Sequence, residues 1–267
     1  HTRWRIKSVI MPIGISFYTF QAISYSVDIY RNRFTQDVSF LEYIFYLSFF
    51  PLLFAGPITR AETFFPQIRR QQPTSERLMY YGLWLIITGI LKKAFVADYI
   101  AQYNNWIFDS PLTYSGFENL MGLLGFSMQI YLDFSGYTDI SIGMAALMGI
   151  RLKENFRFPY QSQNVTEFWH RWHISLSTWF RDYVYIPLGG NKNGKIRTGI
   201  HCLITFLLVG IWHGSSIMFA LWGLLHGIAL VIHKSIRHWL VRIPDNWITK
   251  AVCIIVTGIF IVCSWAV

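Results

Sequence analysis

Charge is scarce in this sequence. Asp, Glu, Lys and Arg make up 14% of its 267 residues, where a soluble domain carries about a quarter. Acid is scarcer than base, with 14 Asp and Glu against 23 Lys and Arg and a formal charge of +9. From Thr198 to His233 there is no Asp, Glu, Lys or Arg at all. Only three cysteines occur, Cys202, Cys253 and Cys263, each inside an apolar run. They have neither metal-ligand nor disulfide-framework spacing and read as small buried hydrophobes. The chain also lacks a P-loop, a GxGxxG turn and a GxSxG elbow, so nothing in it supports nucleotide binding or α/β-hydrolase chemistry. No internal repeat or low-complexity segment is found.

What fills the chain instead is apolar and aromatic. Hydrophobic residues make up 53%, aromatics 18%, and the mean hydropathy is +0.35. That composition points to a bilayer as solvent, with Trp and Tyr suited to its interfaces. The basic residues gather in short clusters between apolar runs, as cytoplasmic loops do, so the positive charge does not indicate nucleic acid. The sequence predicts an all-α, polytopic transmembrane protein with tilted, broken and re-entrant helices. It forms a single membrane-embedded domain over residues 1–267. Starting at "HTRWRIK" and stopping at "CSWAV", it reads as an internal piece of a longer protein, truncated at both ends.

A spanning helix needs roughly 20 apolar residues. Ser8–Tyr30 and Leu41–Ile58 are candidates, with Asp28 facing protein or the interface. Leu78–Leu91 is short and flanked by base, which suggests a re-entrant or interfacial helix. Phe117–Ile150 contains Asp133 and Asp139 in "YLDFSGYTDISIG". Carboxylates at membrane depth pair, cap a broken helix or line a wet cavity, and the glycines and serines between them suggest a break. Thr198–His233 holds two helices turning at "WHGSS", and a last span runs from Trp247.

Polar chemistry concentrates in "WHRWHISLSTWFRDYVYIPLGG", from Trp169 to Gly190. Read as one helix, it lines up Phe168, Trp172, Leu176 and Trp179 as an aromatic ridge. His170, His173 and Ser177 then fall on another side, offering imidazole and hydroxyl groups to a cavity. H-x-x-H alone supplies two ligands, so no metal site is expected. His170 reads as an interfacial or core imidazole bonded to backbone, and His201, His226, His233 and His238 as packing or interface residues. His213, in "LLVGIWHGSSIMF", lies deep in an uncharged run, and an ionisable group there is a functional candidate. A buried imidazole is neutral and available as a base. From pattern alone, a catalytic base and a helix-packing histidine both remain open.

These residues carry a resemblance. "FWHRWHISLSTWFRDYVYIPLGG", with "IWHG" forty residues after its second histidine, resembles the membrane-bound O-acyltransferase family. The similarity is to its bacterial branch of alginate O-acetylation proteins and teichoic acid D-alanyl transferases. "MPIGISFYTFQAISYSVDIYR", "FFPLLFAGPITR" and "YLDFSGYTDISIG" fit the same branch, so the match runs from about Ile10 to beyond Gly227. The resemblance implies a ring of tilted helices around a central tunnel, in a bacterial inner membrane protein crossing it several times. It maps the family's paired histidines onto His173 and His213. The family position matching His170 is often Arg, which argues against an essential role there.

The implied reaction moves an acetyl group from a cytoplasmic thioester, acetyl-coenzyme A, with no bound cofactor. The acceptor is a hydroxyl of an extracytoplasmic polysaccharide or a periplasmic or surface-anchored partner acetyltransferase. His213 would take the proton, and His173 would orient donor or acceptor or polarise the carbonyl. Trp172, Ser177, Trp179, Arg181 and Trp212 would line the donor tunnel. Arg181, Lys192, Lys195 and Arg197 either attract the donor's phosphates or are ordinary loop charge. Asp133, Asp139 and Asp182 read as structural, Asp182 pairing with a nearby Arg. D-alanyl transfer from a carrier protein to teichoic acid, and a transporter with intramembrane His and Asp, are the alternatives.

Overall fold

The computed structural model describes residues 14–53, 55–70, 74–192, 194–240, 244 and 246–266, residues 239 and 240 by backbone alone. Among these residues all regular structure is helical. The chain opens with α1 (Ile15–Tyr30), and the part of the first predicted span before Gly14 lies outside the described residues. Asp28 near its end faces protein, accepting a 2.5 Å hydrogen bond from the Tyr183 hydroxyl.

The second predicted span is corrected. It divides into α2 (Phe40–Ser48) and α3 (Phe50–Leu53), with Phe49 leaving helical geometry at ψ 99°. Pro51 is the physical cause, since inside a continuous helix its ring would collide with a carbonyl one turn back and leave that carbonyl unbonded. The basic loop that follows contains α4 (Ala61–Arg69). Arg69 donates to both carboxylate oxygens of Glu42, at 2.7 and 3.1 Å. The Ser39 N–H donates to the same carboxylate at 2.9 Å, so one acid joins the start of α2 to the end of α4. Phe64, Phe65, Tyr46 and Phe49 form a fully buried aromatic cluster under this clip.

A long helical rod comes next. Its first part is α5 (Glu76–Ile90); it widens into a π-helical stretch over Leu91–Ala97 and continues as α6 (Asp98–Asp109). The short segment predicted to end at Leu91 therefore does not stop there. Against this rod lies α7 (Gly116–Leu147), 32 residues without interruption. The break predicted between Asp133 and Asp139 is absent. The glycines there serve close packing instead. A β-carbon on Gly89 would lie 2.6 Å from the Gly136 carbonyl oxygen, and one on Gly136 2.8 Å from that of Gly89. Gly82 and Gly143 repeat the reciprocal approach one heptad away, at 2.8 and 2.6 Å. Small residues that let backbones touch are the means by which helices associate where lipid removes the hydrophobic drive. The approach brings two lysines of the π-helical stretch over α7. Lys92 pairs with Asp139 at 2.5 Å and Lys93 with Asp133 at 2.6 Å. The two carboxylates pair with lysines of a neighbouring element and do not cap a break.

The remaining helices are α8 (Val165–Arg171), α9 (Ile174–Phe180), α10 (Gly194–His213), α11 (Ile217–Leu240) and α12 (Trp247–Ser264). A π-helical stretch, Arg181–Tyr185, prolongs α9. As predicted, the uncharged run forms two helices that turn at residues 214–216, and the last span is helical. Gly194–His213, Ile217–His238 and Trp247–Ser264 are long and apolar enough to cross a membrane. Only 17% of the α12 window is buried, so most of this apolar helix faces outward, as lipid contact requires.

The glycine contacts yield the first test. Gly89→Ala and Gly136→Ala should each destabilise the protein by about 1–3 kcal/mol through overpacking. Gly116→Ala, where a β-carbon meets nothing within 4 Å, should change stability by less than about 1 kcal/mol. Thermal unfolding of the purified protein in detergent separates them; equal melting temperatures for all three variants would contradict the packing account.

Candidate active site

The stretch from Trp169 to Gly190 does not form the single helix its spacing suggested. The backbone breaks at Trp172 and His173. His173 sits in the left-handed region at φ 41°, a conformation rare for a residue with a β-carbon and one that marks functional sites. The break is held from outside. The Ile174 N–H donates to the Asn155 carbonyl oxygen at 2.9 Å. The Ser175 N–H donates to the Asn155 side-chain oxygen at 3.0 Å. Asn155 thus caps α9 from a separate loop, with its main chain and its side chain together, satisfying donors that a helix start leaves open. The Trp172 carbonyl accepts from the Ser177 hydroxyl at 3.3 Å. Ser177 thus spans the break with its hydroxyl.

This turn inserts His173 into the aromatic core, where it is 1% exposed. Phe134 meets its ring edge-on at 4.7 Å and Phe156 stacks at 6.4 Å. The Trp212 ring lies 6.4 Å away on another side. His213 flanks the same indole at 4.7 Å and touches Trp222 at 5.1 Å. The two histidines, forty residues apart in sequence, therefore bracket one tryptophan. The rings close on themselves. Trp222 stacks on Trp265 at 5.7 Å, Trp265 lies 5.3 Å from Trp172, and Trp172 meets Phe156 at 5.1 Å, which returns to His173. Three polar atoms on this circuit, His173 Nε2, Trp222 Nε1 and Trp265 Nε1, are buried with no hydrogen-bond partner among the described residues. A buried polar group left so is costly in an apolar medium and suits a substrate that supplies the missing partner. An open cleft of about 200 Å³ reaches Trp212 from α1, lined also by Ile15, Ser16, Thr19 and Phe20.

The other predicted site residues divide. Trp172 is buried, stacking on Phe168 at 5.5 Å. Trp179 is buried and donates its indole N–H to the Phe20 carbonyl at 3.0 Å. Phe20 in turn lies 5.2 Å from Trp212, which ties Trp179 to the cleft wall. The ridge of Phe168, Trp172, Leu176 and Trp179 does assemble in one core, across two helices instead of along one. Arg181 is exposed and bonds Asp182 at 2.8 Å. Asp182 also faces Arg60 at 3.5 Å, the pairing with arginine that the sequence led us to expect. Lys192, Lys195 and Arg197 are exposed. His170 is exposed too, correcting its place on one face with His173.

Of the packing histidines, His201 lies 3.2 Å from the Gly190 carbonyl and His233 2.8 Å from Thr166. His226 is fully buried, with Trp169 Nε1 at 3.3 Å from one ring nitrogen and Ser264 at 3.0 Å from the other. No group of three His, Cys, Asp or Glu able to hold a metal gathers among the described residues. Asn155 was missed. In "RLKENFR" it is one amide in a charged loop, and no spacing marks it.

Residues 29–265 match the model of the membrane-bound O-acyltransferase family, and the chain belongs to that family. Among curated proteins it is similar to a probable alginate O-acetylase of Pseudomonas syringae pv. tomato, 42% identical over 231 residues, covering 86% of this chain and 44% of the relative. A peptidoglycan O-acetyltransferase of Helicobacter pylori is 37% identical over 256 residues, covering 86% of this chain and 49% of that protein. A teichoic acid D-alanyltransferase of Bacillus subtilis is 30% identical over 268 residues, covering 95% and 67%. The chain spans less than half the length of the alginate relative.

The hydrogen-bond pattern separates the histidines. His226→Gln, which disturbs two buried partners, should lower stability by about 1–3 kcal/mol. His213 has ring contacts but no hydrogen bond among the described residues, so His213→Gln should cost less than about 1 kcal/mol. Melting temperatures in detergent test this, and a larger loss for His213→Gln would overturn the distinction.

Proposed function

We propose that the protein is an O-acyltransferase that moves an acetyl group from a cytoplasmic thioester, acetyl-coenzyme A, to a hydroxyl of an extracytoplasmic polysaccharide or of a partner acetyltransferase. The observation that carries this reading is the convergence of His173 and His213 on one indole, that of Trp212, beside unpartnered polar atoms in a closed aromatic circuit. The names of the relatives, which include two O-acetyl transferases, favour acetyl over D-alanyl as the group and a cell-envelope polymer as the acceptor. The assembly would lie in the bacterial inner membrane and cross it several times.

The chemistry follows from the groups. A sugar hydroxyl is a poor nucleophile until a base takes its proton during attack. In our reading His213 is that base. The hydroxyl oxygen bonds to the thioester carbonyl carbon, the C–S bond breaks, and the sulfur leaves as the free thiol once it receives a proton. Hydroxyl and thioester are thereby converted to ester and thiol. Trp172, Trp212 and Trp222 exclude water, which would otherwise hydrolyse the thioester. The outward position of Arg181, Lys192, Lys195 and Arg197 suits a role at the mouth, attracting the anionic donor.

The test uses the intact protein in membranes with labelled acetyl-coenzyme A and its own cell's surface glycans. Wild type should label glycan or a partner protein. His213→Ala should lose about 100-fold or more of that transfer, the usual contribution of a positioned base. Undiminished transfer by His213→Ala would remove the base assignment. Label delivered only from a D-alanyl carrier protein would replace the acetyl reading.

A further inference from the structure

Asn155 does more than cap a helix. Its side-chain oxygen accepts from the Ser175 N–H at 3.0 Å and from the Ser175 hydroxyl at 2.9 Å. A backbone N–H can only donate, so the atom facing it is the carboxamide oxygen, and the amide has one orientation. That same oxygen lies 3.2 Å from His173 Nδ1. A carboxamide oxygen has no proton to give, so Nδ1 must carry the hydrogen. A neutral imidazole has only one N–H. His173 is 1% exposed among aromatic rings, and among the described residues no acid forms an ion pair or hydrogen bond with it. Its Nε2, buried and without a partner, is then a bare lone pair.

We infer that Asn155 is a positioning residue that fixes His173 as the Nδ1–H tautomer, so that Nε2 can only accept a hydrogen bond from substrate. The inference rests on the acyltransferase reading for its consequence but not for its geometry. It decides between the roles open to His173. A lone pair at Nε2 does not polarise a thioester carbonyl, which needs a donor. It recognises a group with a hydrogen to give, and in this reaction that is a hydroxyl of the acceptor beside the one that attacks. His173 would hold that neighbouring O–H and so place the acceptor, while His213 removes the proton of the attacking hydroxyl. His226 is the contrast within the same molecule. Trp169 Nε1 can only donate and lies 3.3 Å from His226 Nδ1. The His226 hydrogen is therefore on Nε2, facing Ser264. The two buried histidines carry opposite tautomers because their neighbours have opposite hydrogen-bonding capacity.

Nitrogen-15 NMR of the intact protein, labelled at histidine and held in lipid nanodiscs, reads both tautomers directly. His173→Gln and His226→Gln spectra assign the signals. The expected result is a proton-bearing Nδ1 and a lone-pair Nε2 for His173, and the reverse for His226. A proton-bearing Nε2 on His173 in wild type would overturn the proposal. Asn155→Asp keeps both the cap and the acceptor oxygen, and should keep Nδ1–H on His173. Asn155→Ala should replace the single tautomer with a mixture and lower kcat by about tenfold or more, as misplaced imidazole protons do in catalytic triads. Retention of the pure Nδ1–H form in Asn155→Ala would show that Asn155 is not the lock. If that variant fails to fold, the wild-type and Asn155→Asp spectra still decide. Correct tautomers with no acyl transfer by wild type would sink the acyltransferase reading and leave the lock standing.

Discussion

The hydrogen bonds to Asn155 hold together the turn at which α8 gives way to α9 inside the aromatic core. In a low-dielectric interior, a helix start without partners leaves several backbone donors unsatisfied at a cost of kilocalories each. Asn155 and its carbonyl supply two of those partners to α9. Only with that support can His173 hold a left-handed φ of 41°, and only that φ turns its ring toward Trp212. The angle between α8 and α9, the meeting of Trp172 with Trp265, and the closed aromatic circuit all depend on this turn.

A second set of contacts fixes the outer part of the molecule by the opposite means. Asn155 satisfies polar groups, whereas the glycines of α5 and α7 remove side chains so that two backbones meet. The approach lets Lys92 and Lys93 reach Asp139 and Asp133. Two carboxylates in an apolar helix are thereby matched by cations from a neighbouring element. The same device recurs at the site, where a β-carbon on Gly210 would lie 2.2 Å from the Phe219 carbonyl. That closeness of α10 to α11 lets the His213 ring at the end of one helix touch Trp222 on the other.

The histidines of this protein are distinguished by what surrounds their nitrogens. His226 has partners on both sides and ties α11 to α8 and α12. His173 has one partner and one unmatched nitrogen; His213, expected to be buried, is exposed and meets the rings of Trp212 and Trp222 with no hydrogen bond among the described residues. A fold that leaves polar atoms unmatched in its core forgoes stability there, and functional sites are where proteins do so.

The sequence by itself determined the helical class, the two helices turning after His213 and the last span, because long uncharged apolar runs admit no other arrangement in a membrane. It also brought His213 forward, since an imidazole in such a run stands out against its neighbours, whereas His173 was singled out from His170 by the family resemblance. It misread the glycines of α7 and the unity of the Trp169–Gly190 stretch. A glycine weakens an isolated helix whether it marks a break or a close contact, so its meaning depends on a partner helix that local sequence does not contain. Helical periodicity likewise gave no sign that α8 and α9 part at His173, because the force that parts them comes from Asn155 in a separate loop. The tertiary structure alone decided which nitrogen of His173 is free, for that follows from one oxygen brought within 3.2 Å by the fold.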